Sequence, residues 1–497
     1  MAGNAITEKI QTVSTKEKMR FPWFEGLRIV RWLTPTAEHC VMATGRAMGV
    51  PESMARISMA AHIRAYAQSL ADKHYSDEWL RLCGRLESLD KPDFERFKVL
   101  TAEYEGHCLR MMDIVVTTCD NSWTLSPERF RPNIIILDES SQAIEAAALL
   151  PVAQFLGSLE QVIFAGDDQQ LQPFVLSTPD ENKFESQLRK SWFERARLSA
   201  VVPCVTLGQQ YRMRPEISRL IIKHFYQNKL KDDQSTTVDR SAYQAYMQVA
   251  RELNLGGIDW AASEWPVSNI LMVDMPDGTR TLSKTDSAGS KFNNGHIAIV
   301  RDICLTLLAP QTDLYGRQIA VITPYATQRV RHMRVLSAAA SLNVEMGKVT
   351  VSTVDRFQGQ EADIVLLDLV VRSNRSEGLG FMRDKTRLNV AISRARDVLI
   401  VIGDGRKYRR LLSKNRVAKG SRSFLEIMCD IGTKSVLWYG NRSAVAEFKK
   451  WDKAEEEQDE AGEKDGQEHT LEHGGDEAEH GLEHGSDHAM QDVQYRY

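Results

Sequence analysis

Residues 133–142 read NIIILDESSQ. Four branched aliphatics in a row are too short a run for a core helix, and they fit a strand buried on both faces. The strand ends in Asp138-Glu139, which sets two carboxylates at the C-terminal edge of a sheet. A bare Asp-Glu there is also what a solvated acidic turn looks like, so the reading depends on what surrounds it. Outward from this point, similar runs recur at Ile114–Thr117, Val162–Ala165, Leu271–Asp274, Ile319–Ile322, Val349–Thr353, Ile364–Leu369 and Val398–Ile402. All are read as strands buried on both faces, alternating with helical stretches. That pattern predicts an α/β architecture with parallel sheets. Polar residues cluster just after many of the strands, where open α/β sheets place their ligands.

Between these runs the chain changes character. About residues 50–110 (MARISMAAHIRAYAQSLADKHYSDEWLRLCGRLESL and its flanks) carry apolar residues at helical spacing and predict a helical insertion. A second insertion is expected at about 231–266, and the acidic, His-rich stretch 446–497 is expected to be a disordered tail. The tail repeats LEHG at 471–474 and 482–485; its histidines could bind a metal loosely, but a solvated spacer explains them better. From residue 451 onward there are 16 Asp/Glu against 3 Lys/Arg. The first 450 residues hold 60 basic and 51 acidic side chains, so a formal net charge of −4 hides a basic body and an acidic tail. A basic body suits a polyanionic partner, for which the tail could compete.

The 42% apolar and 26% charged composition is that of a globular protein. No stretch of about 18 apolar residues predicts a membrane span, and the first residues lack a signal peptide's apolar segment. Seven cysteines without a C-x-x-C pair argue against a structural zinc site and for a reducing compartment, cytoplasmic or nuclear.

Further motifs remove the ambiguity of the acidic pair. VIFAGDDQQLQP (162–173), LGQQYRMRPEIS (207–218), IAVITPYATQ (319–328), VSTVDRFQGQEADIVLLDLVVRSN (351–374) and RLNVAISRAR (387–396) follow it in order. In motif content, order and spacing, about residues 28–406 resemble the superfamily 1 helicases of the nonsense-mediated-decay and senataxin-like type. The resemblance implies two RecA-like domains, here 1–203 with an incomplete sheet and 204–445. ATP and Mg²⁺ would lie in the cleft between them, and single-stranded RNA or DNA across the top. It implies a monomer that moves 5′ to 3′.

Carried over by position, the resemblance gives Asp138 the metal and Glu139 the general base for hydrolysis. Gln170 would sense the γ-phosphate, Tyr211 would stack on adenine, and Arg212 and Arg394 would be arginine fingers. Glu361, next to the Gly359 turn, would bind the ribose. Thr34, Pro35 and Thr36, with Thr323, Pro324 and Thr353, would grip the nucleic-acid backbone. These roles suit the residue types: guanidinium groups are permanently charged forks matched to phosphate oxygens, and sequence-independent backbone contacts suit a translocating motor.

One element of the family pattern is missing. The phosphate-cradling G-x-x-x-x-G-K-[ST] does not occur; Gly-Lys appears once, at Gly347-Lys348, followed by Val349. The expectation is therefore poor or absent ATP hydrolysis, with two explanations open. One is a truncated form of a longer enzyme, which the intact acids and arginines favour. The other is a non-catalytic nucleic-acid- or partner-binding protein on a helicase scaffold. Arg214 after Tyr-Arg-Met, Asp168, and DESSQ are smaller departures that remove no required charge.

Overall fold

The computed structural model describes residues 28–31, 58–74, 78–175, 177, 180–237, 269–274, 283–308, 317–340, 348–371, 380–413, 422–434 and 436–438. Thr34, Pro35, Thr36, most of the second expected insertion, and the acidic tail lie outside these residues.

The strands expected from aliphatic runs are present, with ends shifted by up to three residues. In the first part, β1 (Ile29–Arg31) pairs in parallel with β2 (Ile114–Val116), and β3 (Ile134–Leu137) with β4 (Gln161–Phe164). In the second part, six strands form one parallel sheet: β5 (Ile270–Asp274), β6 (Ile319–Thr323), β7 (Thr350–Thr353), β8 (Ala362–Asp368), β9 (Ala395–Gly403) and β10 (Val436–Trp438). Their order is β7-β6-β8-β9-β5-β10. Sequence-distant strands lie side by side because parallel pairing requires a crossover, and helices supply it.

The second sheet shows why its strands read as continuous apolar runs. Successive side chains point to opposite faces, and both faces are covered. Ile322, Val365, Leu367, Leu399 and Val401 pack on one side with α5 (Pro215–His224), α8 (Lys385–Ile392) and α9 (Arg422–Lys434). Val321, Ile364, Leu366, Val398 and Ile400 pack on the other with α6 (Asn294–Leu307) and α7 (Ala326–Ala339). Each such side chain, removed from water, contributes roughly 1.5–3 kcal/mol.

The same reading fails for β3 and β4. Ile134 and Ile136 are 51% and 63% exposed, and Ile163 is exposed as well. Among the described residues the pair forms a sheet of two strands. Phe155 of α4 (Glu145–Phe155) and partly buried Ile135 join the first part's core, while the alternate residues face outward. Burial on both faces requires a covering layer on each, and the described residues supply one here.

The helical insertion is as expected: α1 (Met59–His74), α2 (Glu78–Cys83) and α3 (Lys91–Arg110). They close around Val30 and a fully buried Trp79, whose Nε1 donates to Thr101 Oγ1 at 2.8 Å. The start of α3 is set locally, since the Asp90 side chain accepts from Asp93 N and Pro92 occupies the first turn. The first residues of the second expected insertion form a short strand, Lys231–Asp232, paired with Gln209–Gln210, and a 3₁₀ turn, Gln234–Thr237.

Candidate functional site: a cleft between the two halves

The first wall of the site follows β3 and β4. Ala165 N donates to Leu137 O and Ser140 N to Ala165 O, both at 2.9 Å, so the turns after the two strands run together. Asp138 and Glu139 are half-buried there, and Glu139 sits in the left-handed region at φ 49°. For a non-glycine residue this costs about 1 kcal/mol or more and recurs at functional turns. In the adjoining turn Asp167 Oδ1 accepts from Gln169 N at 2.9 Å, and Asp167 Oδ2 from Gln170 Nε2 at 2.9 Å. Leu171 then enters the second part's core beside Met213 and Ile217. This anchors the first wall to the second.

The second wall is at the entry of β8 and β9, not after them. Ala362 N donates to Arg394 O at 3.0 Å, and Ala362 pairs with Ala395, so Glu361 and Arg394 stand together. The sequence pattern places ligands at strand ends; in this sheet the guanidinium cluster lies at the opposite edge. Tyr211, Arg212 and Gly359 belong to the same wall. Gly359 has φ 78°, a conformation suited to glycine. Gln210 shapes the Tyr211-Arg212-Met213 turn by accepting from Arg212 N at 2.9 Å and Met213 N at 2.8 Å. Tyr211 is left 62% exposed. Arg212 Nε donates to Glu361 Oε2 at 2.6 Å, and Arg212 Nη1 to Ser393 O at 3.3 Å.

Arg394 is 2% exposed. Its guanidinium donates to Val390 O (2.9 Å), Ser393 Oγ (2.8 Å), Gln360 O (3.4 Å) and, across the cleft, Gln170 Oε1 (3.4 Å). All four acceptors are neutral, and among the described residues no carboxylate forms an ion pair with it. Burial, reinforced by the nearby Arg212 charge, pushes its pKa below the ordinary arginine range; Glu139, Tyr226 and Glu361 pull the other way. A buried cation with neutral acceptors only carries an uncompensated charge, which is costly.

The halves also meet through residues to which the sequence reading gave no role. Gln358 Nε2 donates to Glu139 Oε2 at 2.9 Å. Tyr226 Oη donates to Asp167 Oδ2 at 2.5 Å, and Asn389 Nδ2 donates to Gln169 O at 2.8 Å. Gln358, Asn389 and Asp167 all lie inside quoted motifs, but Tyr226, in HFYQNKL, carries no local signal at all. Only the turn after α5 brings it to the cleft.

The expected backbone-gripping residues lie at the other edge of the second sheet. Thr323 ends β6 and Thr353 ends β7, in register with each other. Pro324 and Thr353 are half-exposed, whereas Thr323 is fully buried with no partner for its hydroxyl. Thus the structure brings Asp138, Glu139, Gln170, Arg212, Arg394, Tyr211, Glu361 and Gly359 to one cleft, and sets Thr323, Pro324 and Thr353 apart from them.

The site thus has carboxylates on the first wall and guanidinium groups on the second, between parallel sheets. Two family models, each described as an AAA domain, match residues 58–178 and 188–406. The ATP-dependent helicase NAM7 of Saccharomyces cerevisiae is 31% identical over 67% of this chain and 31% of its own length. The regulator of nonsense transcripts 1 homolog of Arabidopsis thaliana is 31% identical over 67% of this chain and 24% of its own. An ATP-dependent helicase of Methanocaldococcus jannaschii, MJ0104, is 30% identical over 66% and 44%. A solved PRRSV helicase structure aligns at 16% identity and TM-score 0.29, over 61% of this chain and 40% of that one. The chain belongs to the superfamily 1 helicases of the nonsense-mediated-decay type. It spans about a third or less of the first two of these relatives. No helix among the described residues is long and apolar enough to cross a membrane.

Proposed function

We propose that the chain is the motor core of an ATP-dependent helicase acting on single-stranded RNA or DNA. The observation that carries this is Arg394: a buried guanidinium with neutral acceptors only, aimed across the cleft at Gln170 and close to Glu139. An anionic ligand there would relieve its unpaired charge. In this reading Arg394 and Arg212 neutralise charge developing on a transferring phosphoryl group, an effect worth about 10³–10⁵ in rate for one arginine finger. Glu139 accepts the proton of the attacking water, and its bond from Gln358 opens when that water arrives. Tyr211 offers its exposed ring to adenine, Glu361 with the Gly359 turn receives the ribose, and Asp138 holds Mg²⁺. Bound Mg²⁺–ATP supplies the phosphoryl group and the charge shielding for its transfer.

Pro324 and Thr353, at the opposite sheet edge, contact the strand's backbone without reading its bases. A monomer working in cytoplasm or nucleus fits the charge pattern and cysteine usage. Since the chain has no G-x-x-x-x-G-K-[ST], hydrolysis by this chain alone is expected to be slow. That same fact favours a second reading, a nucleic-acid- or partner-binding protein on a helicase scaffold. Turnover of ATP by the purified chain, with and without single-stranded RNA and beside Glu139→Gln, decides between them. Slow RNA-stimulated turnover that disappears in the variant supports the motor; RNA binding with no turnover in either protein supports the second reading.

A further inference from the structure

Tyr226 lies two residues beyond the end of α5. Its backbone is fixed by the residues that follow: Gln227 and Asn228 both take left-handed conformations (φ 52° and 60°). Asn228 N then donates back to Ile222 O at 3.0 Å, and Lys229 N to Tyr226 O at 2.9 Å. Phe225, just before it, is buried in the second part's core, and Tyr226 packs against the same core. The ring is therefore held by the second half while its hydroxyl serves the first.

That hydroxyl is used in both directions. It donates to Asp167 Oδ2 at 2.5 Å and accepts from Asn389 Nδ2 at 3.1 Å. Asn389, on α8, also donates to Gln169 O at 2.8 Å. Asp167 Oδ2 in turn accepts from Gln170 Nε2 at 2.9 Å. An ionised carboxylate only accepts, so Gln170 must turn its amino group toward Asp167. Its carbonyl oxygen is left facing Arg394 Nη2 at 3.4 Å. Burial next to Asp167 raises the Tyr226 pKa, so the hydroxyl keeps its proton for Asp167.

We propose that Tyr226 is a positioning residue for Gln170: its hydroxyl, tied to Asp167 and Asn389, fixes which face of the Gln170 amide meets Arg394 and the nucleotide. It thereby joins the turn after β4 to the helix α8, which leads directly into Arg394. The proposal rests on the helicase reading for what Gln170 senses, while the linkage itself is independent of catalysis. Without the hydroxyl, Asp167 loses a donor, the Gln170 amide is free to flip, and the two walls are joined less tightly.

The test is Tyr226→Phe in the full chain, which keeps the ring and its packing. With saturating single-stranded RNA, kcat for ATP should fall about tenfold, the lower end for a hydrogen bond to an ionised acceptor. KM for ATP and Kd for RNA should stay within about twofold. Independently of turnover, amide hydrogen exchange in the segment 165–171 should quicken about tenfold, with strands β8 and β9 unchanged. Unchanged exchange and kcat would overturn the proposal. So would kcat, KM, Kd and Tm all worsening together, because that would mark ordinary structural damage. If the unsubstituted chain hydrolyses no ATP, the helicase reading fails, and the exchange result still decides the role of Tyr226.

Discussion

Replacing Arg394 with Met should destroy function without harming the fold. Methionine has comparable reach and no charge. In the nucleotide-free protein the guanidinium is 2% exposed, has only neutral acceptors, and lies close enough to Arg212 for repulsion to lower its pKa. Replacing a buried ionic group by an apolar one of similar volume is often neutral or stabilising by about 1–4 kcal/mol. Against this stand the two shorter hydrogen bonds, to Val390 O and Ser393 Oγ, each worth about 1 kcal/mol. The balance runs from about 1 kcal/mol less stable than the original to about 2 kcal/mol more stable. For a unit of this size each kcal/mol moves Tm by about 2–4 °C. Calorimetry without nucleotide measures it, and ATP turnover measured alongside should fall by about 10³. A loss of stability above about 2 kcal/mol would mean that Arg394 is a structural tie rather than a charge kept for a ligand.

Asp368, buried at the end of β8, accepts from His296 Nδ1 at 2.6 Å, His332 Nε2 at 2.9 Å and Gln328 Nε2 at 2.6 Å. Burial pushes its pKa up, but the two histidines outweigh burial and hold it below the ordinary carboxylate range. With the folded value depressed, the stabilisation is complete above about pH 4 and is lost as pH falls through the folded value. Asp368→Asn should therefore cost about 3–5 kcal/mol at pH 7, and melts across a pH series should show the deficit narrowing in acid; a pH-independent deficit would contradict this. Gly380→Ala should destabilise by about 1–3 kcal/mol in urea unfolding, because φ is +61° and an added Cβ would stand 2.1 Å from Tyr325 Oη. Glu361→Gln should change stability by under about 1 kcal/mol, since its bond to Arg212 is partly exposed. It should raise KM for ATP about tenfold through the lost charged acceptor, which steady-state kinetics would show.

The second sheet was legible because both its faces are covered, so the stretches IAVI (319–322) and IVLL (364–367) at the middle of its strands carry no polar interruption that could mislead. NIIIL reads the same way yet exposes Ile134 and Ile136, because a run of residues reports apolar character and not the layers that will cover it. The site was legible where motifs carry chemistry locally, as in the acidic pair and AISRAR. What escaped was the partnership between segments. Gln358 reaches Glu139 over 219 positions and Tyr226 reaches Asp167 over 59, and no spacing along the chain encodes either bond. The buried hydroxyl of Thr323 escaped too, since a strand-end threonine looks the same in sequence whether it faces solvent or core.

If the chain is a motor, a nucleotide in the cleft must alter its grip on a single strand at the far edge of the second sheet. Linkage makes the effect reciprocal, so it is measurable without hydrolysis. The direct measurement is the Kd of the chain for a fluorescent single-stranded RNA, with and without a non-hydrolysable ATP analogue and Mg²⁺, and again in Arg394→Met. The account predicts at least about a fivefold change on adding nucleotide and none in the variant. RNA binding indifferent to nucleotide in both proteins would contradict it.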